Sequence, residues 1–291
     1  MAPEPLELTV GHLVFDAVAD GPDDGPPVLL LHGFPESSHA WRFVQPQLAA
    51  AGYRTVAPDL RGYSPGARPA DPAEYRIELL VDDVLGLLEA LGWDDVHLVG
   101  HDWGGALAWH VAGRHPEVIR TLSVVSTPHP KAFTAAKRSG PNADGDDQAA
   151  RSGYIDTFRS EGAEDLFLAD GGALFRLLLE GSGLDADSAA HYLARHHDAE
   201  AVAGILAWYR GADPSDAAGM GPVTAPTLYV WSTEDIALGR RAAELTAEHV
   251  EGAYRFEVLD GVSHWIPEAE PDVLAGLLLD AFAVAPSTPA A

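Results

Sequence analysis

The segment Asp95 to Leu107 (Asp-Val-His-Leu-Val-Gly-His-Asp-Trp-Gly-Gly-Ala-Leu) constrains the fold more than any other stretch. Its first half is a short, largely apolar run of the kind that forms a strand buried on both faces. Gly104 to His115 carries helical spacing, so strand must pass into helix within a few residues. Gly100 and Gly104 suit a bend whose inner side leaves no room for a Cβ, which would collide with the strand or helix backbone. Such a bend projects one side chain, Asp102, at the end of the strand. There the free N–H groups of the helix N-terminus stabilise negative charge.

The rest of the chain repeats this alternation. Leu6 to Val18, turning at Gly11, reads as a hairpin. Pro27 to Leu31, Tyr53 to Pro58, Asp95 to Gly100 and Arg120 to Ser126 read as buried strands. Ser37 to Ala51, Tyr75 to Leu91 and Gly104 to His115 read as amphipathic helices between them. Strands separated by helices imply right-handed crossovers and a mostly parallel sheet. The pattern changes after Pro128. Residues 139–153, rich in Gly, Asp, Ala and Asn, read as a mobile loop, and 149–209 as helical throughout. Strand signals return at Thr227 to Trp231 and Tyr254 to Leu259, before a last helix from Pro271 to Phe282 and a tail after Ala285 expected to fray. The expected division is an α/β core, 1–128 and 221–291, interrupted by a helical cap, 129–220. An insertion on the side where loops leave the strands' C-terminal ends would roof the place where such sheets bind ligands.

Composition narrows the function. The 44 acidic against 18 basic residues give a formal net charge of -26, and the only lysines are Lys131 and Lys137. That field opposes nucleic acid, anionic lipid and strongly anionic substrates. Without cysteine, disulfides, thiol catalysis and Cys-ligated metals are excluded. No run of eighteen apolar residues is present, and Met1 to Pro5 lacks a basic and an apolar leader region, so a cytoplasmic protein without a signal peptide is expected. Oligomeric state, monomer or homodimer, is not legible.

Val99-Gly100-His101-Asp102-Trp103-Gly104-Gly105 resembles the nucleophile elbow of the α/β-hydrolase superfamily, and specifically of the epoxide hydrolases and haloalkane dehalogenases, which carry Asp where esterases carry Ser. The chemistry accounts for the swap. A carboxylate is already ionised at neutral pH and needs no base to attack an sp³ carbon. The alkyl ester so formed can be cleaved by water at its acyl carbon, whereas the ether that serine would form has no comparable route back. Gly62-Tyr63-Ser64-Pro65-Gly66 also matches G-x-S-x-G, but Pro65, Gly66 and Pro69 prevent a helix from starting directly after Ser64, so it is read as a loop.

The resemblance implies an α/β-hydrolase fold: a mostly parallel eight-stranded sheet flanked by helices, with an inserted helical cap. In that fold the acid and then the histidine follow the nucleophile. Asp235, with Glu234 as alternate, suits the acid, and His264 the base that activates water. His32-Gly33-Phe34-Pro35 resembles the family's oxyanion loop, so the backbone N–H groups of Phe34 and Trp103 are expected to face the ester oxygen, with His32 structural. Tyr154 and Tyr209 resemble the two cap tyrosines that hold the epoxide oxygen, although Arg159-Ser160-Glu161 departs from the family after Phe158. Trp103, Phe34, Trp208 and Trp265 are expected to contact substrate. The implied reaction joins a small, uncharged, apolar epoxide with water and uses no metal or organic cofactor. A haloalkane dehalogenase with the same nucleophile, a weak ester hydrolase and an inactive ligand-binding member of the fold remain as alternatives.

Overall fold

The computed structural model describes residues 3–142, 145–213 and 215–284. The chain opens with a hairpin, β1 (Glu4–Val10) and β2 (Leu13–Asp20), and then alternates through β3 (Pro27–Leu31), α1 (Gln45–Ala50), β4 (Arg54–Pro58), α2 (Ile77–Leu91), β5 (Val96–His101), α3 (Trp103–Arg114) and β6 (Ile119–Val125). A helical stretch follows: α4 (Pro130–Arg138), α5 (Gln148–Arg151), α6 (Tyr154–Arg159), α7 (Ala163–Gly181), α8 (Ala186–Arg195) and α9 (Ala199–Gly211). The alternation then resumes with β7 (Thr227–Glu234), α10 (Arg240–Leu245), β8 (Tyr254–Ser263), α11 (Ile266–Ala269) and α12 (Pro271–Ala283).

Among the described residues the strands form one eight-stranded sheet in the order β1-β2-β4-β3-β5-β6-β7-β8. β1, β2 and β4 pair antiparallel, and the rest pair parallel. This order fixes where chemistry can happen. From β3 the chain steps to β4 on one side, then crosses back to β5 on the other. The loops leaving β3 and β5 therefore diverge, and a crevice opens between their C-terminal ends, the usual ligand position in open α/β sheets. Leu31, the last residue of β3, pairs with Gly100 of β5, which puts His32–Phe34 beside Asp102.

The apolar runs seen in the sequence are the buried strands: β5 is buried at every position and β3 at all but its first. α2 buries Ile77, Leu80, Val81, Val84, Leu87 and Leu88, one face of a 3.6-residue repeat. Each such side chain contributes about 1.5–3 kcal/mol relative to exposure.

Several boundaries differ from expectation. The helix expected over 37–51 is a 3₁₀ turn at Ser38–Trp41 followed by α1, because Pro46 can sit only in a helix's first turn. The helical stretch 149–209 is broken: inside α7, Asp170, Gly171 and Gly172 all take positive φ, so two helices meet at a kink. Part of the expected loop is the short helix α5, while Ala143, Asp144 and the tail after Ala285 lie outside the described residues. β7 and β8 run on to Glu234 and Ser263, pairing with each other at those residues. The site-bearing segments after them are therefore held by the sheet itself. α4 packs against α10 and the 3₁₀ turn Thr246–His249 rather than over the sheet's ligand end, whereas α6 and α7 pack with α9.

Candidate active site

The bend at Asp102 is as tight as its glycines suggest. A Cβ on Gly100 would lie 2.2 Å from the Gly104 carbonyl oxygen, and one on Gly104 would lie 2.3 Å from the Leu31 carbonyl oxygen. A Cβ on Gly33 would lie 2.3 Å from the Asp102 Cβ. Asp102 itself has φ 50°, ψ -120°, an unusual conformation for a non-glycine residue, and heads α3. Its Oδ1 accepts the Phe34 N–H at 2.8 Å. Trp103 follows as the first residue of α3, where an amide has no intrahelical acceptor.

The other two charged groups arrive from β7 and β8. His264 Nε2 lies 3.5 Å from Asp102 Oδ2, and its Nδ1 lies 2.7 Å from Asp235 Oδ2. Asp235 Oδ1 accepts the N–H groups of Ala237 and Leu238, which locks the carboxylate. Glu234 is the last residue of β7 and is exposed, so Asp235, which is buried, is the carboxylate that reaches the imidazole. Burial opposes charge on His264, but the carboxylates of Asp235 and Asp102 outweigh it and hold its pKa well above that of an ordinary histidine. Asp102 shows the reverse balance. Burial would raise its pKa, but His264, His101 and the Phe34 N–H together hold it below the usual carboxylate value. Asp102 is thus ionised and the imidazole protonated, with 16% of the Asp102 side chain still exposed.

Directly beneath lies a pair that the sequence reading overlooked. Glu36 and His101 are both completely buried, with Glu36 Oε2 2.9 Å from His101 Nδ1. The same Oε2 accepts the Gly33 N–H at 2.7 Å, and His101 Nε2 donates to the His264 carbonyl oxygen at 3.0 Å. One ion pair therefore ties together the β3 loop, the bend and the histidine loop. Burial opposes both charges, yet each group stabilises the other: the Glu36 pKa is lowered and the His101 pKa raised. The available signal was a Glu in the loop after the apolar β3 and a His at the end of the buried β5, where unpaired charge is not tolerated. His32, expected to be structural, donates from Nδ1 to the Gly33 carbonyl and accepts the Leu60 N–H at Nε2.

The two tyrosines converge from different helices. Tyr154 begins α6, Tyr209 lies near the end of α9, and their ring centroids are 6.1 Å apart. The Tyr209 ring stands edge-on to Trp103 at 5.1 Å and to Phe34 at 5.2 Å. Burial and then the neighbouring Asp102 charge raise the Tyr154 pKa. For Tyr209, burial, Tyr154 and Asp102 act in that order. Both phenols are therefore neutral donors beside the carboxylate. Arg159, where the sequence leaves the family pattern, donates to the carbonyls of Tyr209 and Ala212 and so stitches α6 to the end of α9.

Trp208 packs on Trp103 at 5.8 Å but gives its N–H to the Arg61 carbonyl, so its polar end is engaged inside the protein. Trp265 stands edge-on to His264 at 5.2 Å and donates to Ser182 Oγ. Phe34 faces Phe158 and Phe175, giving the space beside Asp102 an aromatic wall. Ser64 is fully buried. Its hydroxyl donates to the Asp59 carbonyl and accepts the Asp16 N–H, leaving no group to activate it as a nucleophile.

The sequence matches the alpha/beta hydrolase fold family over residues 26–271. The chain belongs to the α/β-hydrolase family. Among curated α/β-hydrolase relatives, the AB hydrolase superfamily protein YfhM of Bacillus subtilis is 31% identical, covering 92% of this chain and 94% of its own length. Epoxide hydrolase A of Mycobacterium tuberculosis is 30% identical over 90% and 92% of the two chains. The crystal structure of Epoxide Hydrolase A from Mycobacterium thermoresistibile superposes with a TM-score of 0.82 at 26% identity, covering 98% of this chain and 99% of that one. The protein is a hydrolase of this family. No helix among its described residues is long and apolar enough to cross a membrane.

Proposed function

We propose that this hydrolase opens small, uncharged epoxides to vicinal diols through a covalent ester on Asp102. The observation that carries the reading is the chain of charges at the sheet edge: Asp102 Oδ2 3.5 Å from His264 Nε2, with His264 Nδ1 held 2.7 Å from Asp235. A carboxylate in the nucleophile position suits attack on an sp³ carbon, and relatives named as epoxide hydrolases along most of their length support the substrate class.

Asp102 attacks an epoxide carbon and the C–O bond breaks. The oxygen leaves as an alkoxide that takes a proton from Tyr154 or Tyr209. Esterification removes the Asp102 charge, one of the influences holding the proton on His264. The imidazole therefore releases its proton, which restores the phenol, and becomes a base at the stage that needs one. Neutral His264 then takes a proton from water as the water attacks the Asp102 acyl carbon. In this reading the Phe34 and Trp103 N–H groups stabilise the oxyanion, and the Phe34 N–H donating to Asp102 Oδ1 supports its part. Collapse releases the diol oxygen, protonated by His264, and the remaining carboxyl proton returns to the imidazole.

In this reading residues 129–220 act as a cap on the core formed by 1–128 and 221–291, with α6 and α9 supplying the tyrosines. Trp103, Phe34, Trp208 and Trp265 form the aromatic surroundings of the substrate, and no metal or organic cofactor takes part. The protein works in the cytoplasm.

His264→Gln tests the proposal. Incubated with styrene oxide, the variant should gain one substrate mass on Asp102, read by intact-protein and peptide mass spectrometry. An unmodified variant, under conditions where the wild type forms diol, sinks the ester. Bromide release from a bromoalkane faster than diol formation would move the assignment to a dehalogenase.

A further inference from the structure

The loop that carries Asp235 is gripped from outside the sheet by residues 146–152. Gln148 is only 3% exposed, and both ends of its amide are used. Nε2 donates to the Ala237 carbonyl at 2.8 Å and to Ser152 Oγ at 3.0 Å, while Oε1 accepts the Gly239 N–H at 2.8 Å. Arg151 Nη1 donates to the carbonyl of Asp235 itself at 2.6 Å, and its Nε is braced 2.5 Å from Asp146. Residues 235–239 lie between the end of β7 and the start of α10, and Ile236 at their tip is 57% exposed. The Ala237 and Leu238 N–H groups lock the Asp235 carboxylate relative to its own loop, and Trp231 Nε1 holds the Leu238 carbonyl, but these contacts do not tie the loop to the cap side. Three main-chain atoms of this loop are instead held by two side chains of one short segment.

We infer that Gln148 and Arg151 are positioning residues for the water-activating histidine. Through the 235–239 loop they keep the Asp235 carboxylate against His264 Nδ1. The inference rests on the roles proposed above for Asp102, His264 and Asp235. Its consequence is selective. Ester formation needs the Asp102 carboxylate and the tyrosines, none of which is hydrogen-bonded to residues 235–239, although the Asp235 charge helps raise the Tyr154 pKa. Ester hydrolysis needs an imidazole with Nδ1 as donor and Nε2 as acceptor, and that tautomer is set by Asp235. A shift of about 1 Å in the carboxylate would break the 2.7 Å contact and release the ring.

Single-turnover kinetics with styrene oxide separate the two steps for Gln148→Leu, Arg151→Met and Arg151→Lys. For the first two, ester hydrolysis should slow by about 10–100-fold while ester formation stays within about twofold. The acidic limb of the hydrolysis profile should move to lower pH, because His264 loses part of the Asp235 support that raises its pKa. Arg151→Lys should recover most of the rate. Equal losses in both steps with an unmoved limb would mean only a loss of folded protein and would overturn the inference, as would no change in either step. If Gln148→Leu does not fold, the Arg151→Met and Arg151→Lys pair decides the matter. A wild type that forms no ester overturns the Asp102 mechanism itself, whereas an ester with unchanged partitioning in the variants overturns only the positioning role.

Discussion

Removing the Glu36 carboxylate as Glu36→Ala should be among the most destabilising single changes in this protein. The pair it forms with His101 is fully buried at 2.9 Å. With an effective dielectric constant of about 20, Coulomb's law gives an attraction of about 6 kcal/mol at that distance, against which desolvation works. Breaking such a pair by deleting one partner costs about 3–5 kcal/mol, since it strands a buried charge and here also the Gly33 N–H. For a domain somewhat smaller than this one, each kcal/mol moves Tm by about 2–4 °C, so a fall on the order of 6–20 °C is expected.

The pH dependence of that loss tests the mechanism of stabilisation. The lowered Glu36 pKa gives stability that is present above its ordinary value of 4.5 and is lost as pH falls through the folded value. The raised His101 pKa gives stability fully present below its ordinary value of 6.5 and lost as pH rises through the folded value. The difference between wild type and Glu36→Ala, from denaturant melts, should therefore be largest between these two ordinary values and shrink in alkali. A difference that stays flat from about pH 5.5 to about pH 8.5 would show that the pair is not charged, and a loss below about 1 kcal/mol would refute its importance.

Other outcomes follow from the same geometry. Tyr209→Phe should slow epoxide opening by about 10²–10⁴-fold in stopped-flow measurements, and an unchanged rate would remove its role as proton donor. Gly104→Ala places a Cβ 2.3 Å from the Leu31 carbonyl oxygen, so its yield of folded protein and its Tm should collapse, and a wild-type melting curve would contradict the tight bend. Ser64→Ala should lower stability by about 1–3 kcal/mol through loss of its two buried hydrogen bonds while leaving turnover per folded molecule intact; lost turnover would reinstate Ser64 as a candidate nucleophile.

Much of this protein can be read without coordinates, for local reasons. Buried parallel strands are continuous apolar runs, so β3, β4, β5 and β6 lie where such runs occur. The bend at Asp102 is signalled by Gly100 and Gly104, which are required by atoms a few residues away or on the adjoining strand end. Element ends were less legible, because they depend on pairing partners. β8 reaches Ser263 since it can pair with the extended end of β7, and α1 starts late because of Pro46.

Residue order dictates the succession of strands and helices, the sharp strand-to-helix turn and the kinds of side chain available for chemistry. Which of those side chains meet depends on packing between distant segments. The crossing from β4 over β3 to β5 sets the β3 loop beside Asp102, and pairing of β7 with β8 brings Asp235 to His264 across 29 residues of chain. Glu36 with His101, and Gln148 with the Asp235 loop, are contacts between segments 65 and 91 residues apart. Local pattern encodes backbone conformation, whereas a buried charge or amide finds its partner only when distant segments are packed together out of water.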